Sequence, residues 1–260
     1  MSETVQTAVE DGVASLRLCR AAEMNSLDAD TARAIRDAID RLAADQAVRV
    51  MVLSGEGRVF SAGGDFNWVL TWPELDAITR HAGADAVMGA VQAVYDFPKP
   101  SIARVHGAAV GGGVGLMLAC DFAVAADSAR FGLTSVRNGL LAAIAIPVLI
   151  EAVGPRMARQ LMMHGGTFDA ATALRIGLVD QVVEGDALDA TVAALAGELK
   201  LGAPSVQTLI KKLITQIDAL PHGSAAADIL GGHVANQSIT EDAIEGMSAF
   251  LAKRKPKWAV

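Results

Sequence analysis

Cysteine is nearly absent from this 260-residue chain. Cys19 and Cys120 are the only two, they fit a reducing compartment, and they carry no metal-ligand spacing. Basic charge is also short: 22 Lys and Arg stand against 29 Asp and Glu, a net charge of −7, which argues against a general nucleic-acid binder. The single dense basic run is Lys253–Lys257 near the C-terminus. Long apolar runs are missing too. Leu140–Ile150 is the greasiest charge-free stretch, but it is too short to span a bilayer and contains Pro147. The first residues, MSETVQTAVEDG, lack the basic and apolar regions of a secretory leader. The glycines do not form G-x-G-x-x-G or G-x-x-x-x-G-K-[ST], which removes the usual signals of dinucleotide and nucleotide binding. A soluble cytoplasmic protein is expected, with no metal, no nucleic-acid partner and no membrane attachment.

Hydrophobic residues make up 52% and charged residues 20%, enough for a large core. The length suits one large domain, or one domain with a small appendage. Runs at Thr4–Val9 and Val13–Leu18 flank Asp11-Gly12, a hairpin signal. Ala34, Ile35, Ala38, Ile39 and Leu42 recur at helical spacing behind the possible caps Asp28 and Asp30. Val50–Leu53 reads as a compact strand, and 67–84 reads as an aperiodic, mobile lid. A helix through Val87, Val91 and Val94 then leads to Pro98 and Pro100. Strand–helix alternation persists to about residue 185, and the remainder is nearly all helix, with the cleanest amphipathic pattern over Val206–Ile217. That order predicts an α/β core over 1–185 and a helical module over 186–260.

The stretch Ser101–Asp121 joins a short strand to an apolar helix through Gly107 and Gly111-Gly112-Gly113. Glycines there permit unusual dihedrals and leave no side chain between backbone N–H groups and a ligand. A helix start also carries unpaired donors at its positive end, a setting for an anion or developing oxyanion. Close packing alone is the other reading of the same triplet.

Five segments together resemble the crotonase superfamily, the enoyl-CoA hydratase/isomerase family. They are Met24–Leu27, Phe60–Asp65, Lys99-Pro100 through the glycine triplet to Asp121, Gly177–Val179, and Glu245–Phe250. Gly63–Trp68, with Gly111–Leu116 and Thr134–Arg137, is most similar to its methylglutaconyl-CoA-hydratase-like branch. The resemblance implies a spiral of ββα units with a C-terminal helical trimerisation module, assembled as a homotrimer or a pair of trimers. It implies an acyl-CoA thioester as ligand, with coenzyme A part of the substrate and no separate cofactor. By matching positions, the N–H groups of Gly64 and Gly112 form an oxyanion hole for the thioester carbonyl. Ala62, Asp65, Phe66, Asn67 and Gly111 line the substrate path, and Lys253 in the basic tail reaches the CoA phosphates.

The chain departs from the family at the two glutamates that hydratases use to activate water and deliver a proton. The matching positions hold Gly115 and Ser135, the latter at a catalytic position but unable to act unaided as a base. The glycine-rich stretch that follows in common hydratases is replaced by Leu140–Ile146, which predicts a greasier acyl pocket. His106, Glu74, Asp76, His81, Arg137 and Asn138 are alternative polar groups, each also readable as structural or solvated. Asp65 reads as a loop-fixing acceptor, Asp121 as a turn-fixing one, and Trp68 and Trp72 as lid packing or acyl contacts. Three functions follow: hydration or isomerisation through an enolate, acyl-CoA binding without turnover, or another crotonase reaction such as thioester hydrolysis or decarboxylation. Dehalogenation is disfavoured because no aspartate stands near Ala143.

Overall fold

A computed structural model describes residues 4–218 and 224–259. The hairpin forms as expected, β1 (Val5–Glu10) antiparallel to β2 (Val13–Leu18), with Glu10 opposite Val13. Asp11 and Gly12 both take positive φ, 46° and 76°, which a two-residue hairpin with the right-handed strand twist requires. Helix α1 (Ala29–Ala44) follows. Asp28 caps it by accepting from Thr31 N at 2.7 Å, and Ile35, Ala38, Ile39 and Leu42 are buried on its inner face.

Next come β3 (Val50–Gly55), α2 (Phe66–Leu70), α3 (Ala77–Tyr95), β4 (Ser101–Val105), β5 (Ala108–Val110) and α4 (Gly112–Leu118). They are followed by β6 (Phe122–Ala126), β7 (Arg130–Gly132), α5 (Ile146–His164), β8 (Thr167–Asp169), α6 (Ala170–Arg175) and β9 (Gln181–Val183). Four helices end the chain: α7 (Leu188–Lys200), α8 (Pro204–Asp218), α9 (Ser224–Gln237) and α10 (Glu241–Leu251).

The expected aperiodic lid is largely helical. Asp65 caps α2 and Asp76 caps α3, so α3 starts at Ala77 rather than near Ala84. Its first turns are exposed on most sides, so they carry no apolar period to read from sequence.

The main sheet has the order β1-β2-β3-β4-β6-β9 and is parallel from β2 onward. Its central strands are buried on both faces. Met51, Leu53, Ala103, Val105 and Ala125 face the large core beneath α1, α3 and α4, while Val50, Ile102 and Val124 pack on Leu188, Val192 and Ala196 of α7. Helix α7 lies after residue 185, yet it covers the sheet. A second sheet has the order β5-β7-β8, with β5 parallel to β7 and β7 antiparallel to β8.

The chain therefore repeats one path: a strand in the main sheet, a short strand in the second layer, then a helix. β4–β5–α4 and β6–β7–α5 are two such turns. A third begins with β3, whose second-layer strand shrinks to a bridge between Ser61 and Ala109. Ser61 N donates to Ala108 O at 3.1 Å and Val110 N to Ser61 O at 2.9 Å, which holds successive turns in parallel register. This register positions the site. The backbone just after Ser61 and the backbone just after Val110 emerge side by side.

Candidate active site

At this junction Gly63, with φ +88°, lies so close to the neighbouring turn that a Cβ on it would fall 2.5 Å from Val110 O and 2.8 Å from Gly112 N. The turns of Gly63-Gly64 and Gly111-Gly112 are thus in backbone contact, which only glycine at position 63 allows. Gly111 is the N-cap of α4 at φ +54°, and its N–H is used by Gly132 O at 2.8 Å. The N–H groups of Gly64 and Gly112 have no partner among the described residues. Gly64 faces open space, with nothing within 4 Å of a built Cβ, whereas Gly112 is buried as the first residue of α4. Two unpaired donors from adjacent parallel turns can serve one acceptor between them, and the α4 dipole favours negative charge there.

The Gly63-Gly64 turn is held from behind by a polar network. Asp65 accepts from Asn67 N (3.0 Å), Trp68 N (3.2 Å), Arg20 Nη2 (2.9 Å) and Ser26 Oγ (3.2 Å). Burial pushes the Asp65 carboxyl up, but the Trp68 N–H, the Arg20 guanidinium and the Ser26 hydroxyl outweigh it and hold the group below its ordinary value. Ser61 Oγ donates to Asn25 O at 2.8 Å and accepts from Gly63 N at 3.2 Å. Asn25, itself at φ 54°, donates to Glu56 O and Val59 O. Asp65 is therefore an ionised fastener with its oxygens engaged. Ala62 is half-buried in the same turn, and Phe66 and Asn67 stand exposed just beyond it.

On the other side, Gly111 faces Ser135, whose Oγ is 3.4 Å from a Cβ built on the glycine. Ser135 sits in a 3₁₀ turn, Thr134–Asn138, and is half-buried. Gly115 is one α4 turn deeper. There the space of a side chain is taken by Ile144, whose Cγ1 and O lie 3.3 and 3.4 Å from a built Cβ. The Ile144 Cδ1 also comes within 2.8 Å of a Cβ built on Gly112. Ile144 thus lies along the glycine face of α4, filling the position where the family resemblance implies a carboxylate.

The other polar residues flagged from sequence are occupied elsewhere. His106 Nε2 donates to Gly57 O at 2.9 Å, while Nδ1 faces Arg104 Nη1 at 3.1 Å. His81 is bonded to Ala77 O of its own helix, Asp76 caps α3, and Glu74 is exposed. Arg137 donates to His164 O, and Asn138 is exposed. Asp121 ties Ser101 to Lys211. Trp68 and Trp72 pack edge to face at 5.1 Å, with Trp68 over Gly83. Lys253 is exposed at the end of α10, and its N–H donates to Phe250 O. The following tail returns to Arg49 and Leu201 through Trp258. Two residues that matter here were not singled out from sequence. Ile144 was hidden in a uniformly apolar run, and Arg20 showed itself only through the need of a buried Asp65 for a cation.

A spiral of strand–strand–helix turns, with two unpartnered backbone donors in adjacent glycine turns, is a scaffold of the crotonase type. A family model described as enoyl-CoA hydratase/isomerase matches residues 8–260. A Thermus thermophilus protein described as an enoyl-CoA hydratase is 37% identical over 237 residues, covering 90% of this chain and 92% of its own. A crotonyl-CoA hydratase of Syntrophomonas wolfei is 34% identical over 97% of this chain and 96% of its own. The crystal structure of an enoyl-CoA hydratase from Shewanella pealeana superposes with a TM-score of 0.93 at 29% identity, over 98% of this chain and 96% of that one. The chain belongs to the enoyl-CoA hydratase/isomerase family, and its fold is the mixed α/β fold with a helical C-terminal region expected from the sequence.

Proposed function

We propose that this protein binds an acyl-CoA thioester, polarises its carbonyl between the N–H groups of Gly64 and Gly112, and turns over an enoyl-CoA by hydration, dehydration or double-bond isomerisation. The observation that carries the reading is the contact of the two glycine turns with both amides left unpartnered. Each of these reactions passes through charge on the thioester oxygen. Two fixed donors stabilise that charge without reorganising when it develops. In hydration, hydroxide character is delivered to Cβ and a proton to Cα, and the electron pair of the double bond resides transiently on the oxygen as an enolate.

The Ser135 hydroxyl stands beside Gly111, where it can hold a water or a substrate oxygen by hydrogen bonding. Its role is positional, because a serine hydroxyl titrates far above neutral pH. The turn Ala62–Asn67, fastened through Asp65, supplies a rigid wall for the pantetheine and adenine portion. Lys253 would meet CoA phosphates of a neighbouring copy rather than of its own chain.

A second reading, an acyl-CoA binder without turnover, is motivated by Gly115 and Ser135 in place of the two glutamates, with Ile144 against Gly115 where a side chain would stand. The deciding experiment assays crotonyl-CoA and a longer trans-2-enoyl-CoA for loss of enoyl absorbance and for a shifted double bond. Thioester binding is measured calorimetrically on the same sample. Turnover with binding supports the enzyme. Binding with no turnover at any chain length leaves the binder, and no binding of any CoA species sinks both.

A further inference from the structure

The Gly64 N–H can serve a ligand only if it points out of its turn, and its direction is set from behind by residues 24–27. Leu27 N donates to Gly63 O at 2.7 Å and Asp65 N to Leu27 O at 2.9 Å, a parallel bridge that pairs Leu27 with Gly64. Gly63 C=O and Gly64 N–H belong to one trans peptide plane, so they point in opposite directions. Holding that oxygen against Leu27 turns the Gly64 N–H away from Leu27, and Gly64 itself is exposed. Gly112 needs no outside help. The oxygen of its peptide, Gly111 O, accepts from Val114 N at 3.1 Å within the first turn of α4.

Residues 24–27 do not hold themselves in place. Met24 and Asn25 take φ of 52° and 54°, two consecutive non-glycine residues in the left-handed region, and that strain persists only where surrounding contacts offset it. Those contacts converge on Asn25, which is 1% exposed. Its Oδ1 accepts from Arg20 N at 3.0 Å, and its Nδ2 donates to Glu56 O at 2.8 Å and Val59 O at 2.9 Å. Its backbone N–H donates to Arg20 O and its backbone oxygen accepts from Ser61 Oγ, each at 2.8 Å. Every polar atom of the residue is engaged. We infer that Asn25 is a positioning residue of the candidate active site: it stitches Arg20, the 56–59 loop and Ser61 into the frame that holds Leu27, and Leu27 aims the Gly64 N–H at the thioester oxygen. Asn25 is buried behind the turn and acts through Leu27, without touching the ligand. The inference rests on the acyl-CoA reading above and adds the residue that sets how strongly the carbonyl is polarised.

The test reads the carbonyl itself. Infrared difference spectroscopy gives the thioester carbonyl stretch of bound butyryl-CoA, and calorimetry on the same samples gives the affinity for free CoA. In the wild type, binding should move the stretch to lower frequency, because two donors on the oxygen weaken the C=O bond. Asn25→Gly keeps the left-handed backbone without strain and removes the three side-chain bonds. It should lose more than half of the frequency shift and still bind free CoA within about twofold of wild type, since the Arg20–Asp65 pair fastens the far end of the turn. Ser61→Ala, a small change of volume, cuts Asn25 O from the turn and releases Gly63 N. It should lose a smaller part of the shift, and it decides the question if Asn25→Gly does not fold. A full shift in the folded variants overturns the inference and leaves the acyl-CoA reading standing. A free-CoA affinity that falls as far as the shift does would show general loosening and overturn it equally. If the wild type binds butyryl-CoA with no shift, the pairing of Gly64 with Gly112 on the carbonyl falls and takes this inference with it. If no CoA species binds, the acyl-CoA reading itself falls.

Discussion

Gly112 is the first residue of α4, a position where proline is well tolerated because the N–H there has no helical partner to lose. Gly112→Pro therefore removes one proposed oxyanion donor while keeping the helix. A proline ring needs the room that Ile144 Cδ1 now takes, so the change is best made in an Ile144→Ala background. Relative to that background, kcat for any enoyl-CoA turned over should fall about 10²–10³-fold, with a smaller effect on thioester affinity. Equal losses in kcat and affinity would count against a transition-state role for this amide. The same contact governs attempts to restore a glutamate. Gly115→Glu alone should destabilise the protein by about 1–3 kcal/mol in denaturant unfolding, because Ile144 and Ala145 Cα stand at 3.3 and 3.4 Å from the new Cβ. Adding Ile144→Ala should recover only part of that loss, because Ile144 O and Ala145 Cα stay at 3.4 Å. Ser135→Glu needs no such relief, since Ser135 is only half-buried.

At the scale of the element, the Ala62–Asp65 turn depends on a cation supplied from far along the chain. Arg20→Ala would leave Asp65 buried with only its backbone and Ser26 donors, at a cost of about 2–3 kcal/mol near neutral pH. Asp65 is held below its ordinary value of 3.8 in the folded protein. Its contribution is therefore present above that value and is lost as pH falls through the lower folded value. The difference in melting temperature between wild type and Arg20→Ala should accordingly be constant from pH 5 to 8 and shrink below pH 4. A difference that persisted undiminished at pH 2 would mean that Arg20 acts by packing alone. The elements themselves were legible to unequal degrees. The hairpin at Asp11-Gly12 and the amphipathic α1 carry local signals that the fold obeys. The start of α3 does not, because its cap Asp76 sits in a stretch with no buried face. The glycine turns could be flagged as donor-bearing, but their mutual contact depends on the Ser61–Ala109 bridge, which no local pattern announces. Ile144 was illegible for a different reason: in a run of uniformly apolar residues, sequence cannot say which side chain turns toward Gly115.

For the whole molecule, the C-terminal helices pose the remaining question of what covers them. On α8, Ile210 and Ile214 are 50% and 61% exposed, and on α10 Phe250 is 82% exposed. Apolar residues this exposed on two C-terminal helices are unusual on a free surface and suit burial between copies. The helices are nonetheless anchored to their own core. Lys211 pairs with Asp121 at 2.9 Å, and Arg49 donates to Lys200 O, Gly202 O and Trp258 O. Arg254 grips Glu245 with both terminal nitrogens and, with the Lys257 N–H, lowers its carboxyl to about 2. These ties set the orientation in which the apolar faces are presented. Sedimentation equilibrium should give the mass of a trimer or of two trimers. Phe250→Glu should shift the distribution toward monomer at micromolar concentration, and the monomer should retain its far-ultraviolet dichroism because Phe250 supports little within its own chain. A wild-type protein that sediments as a monomer would refute this assembly, and with it the proposed route of Lys253 to the CoA phosphates of a neighbouring copy.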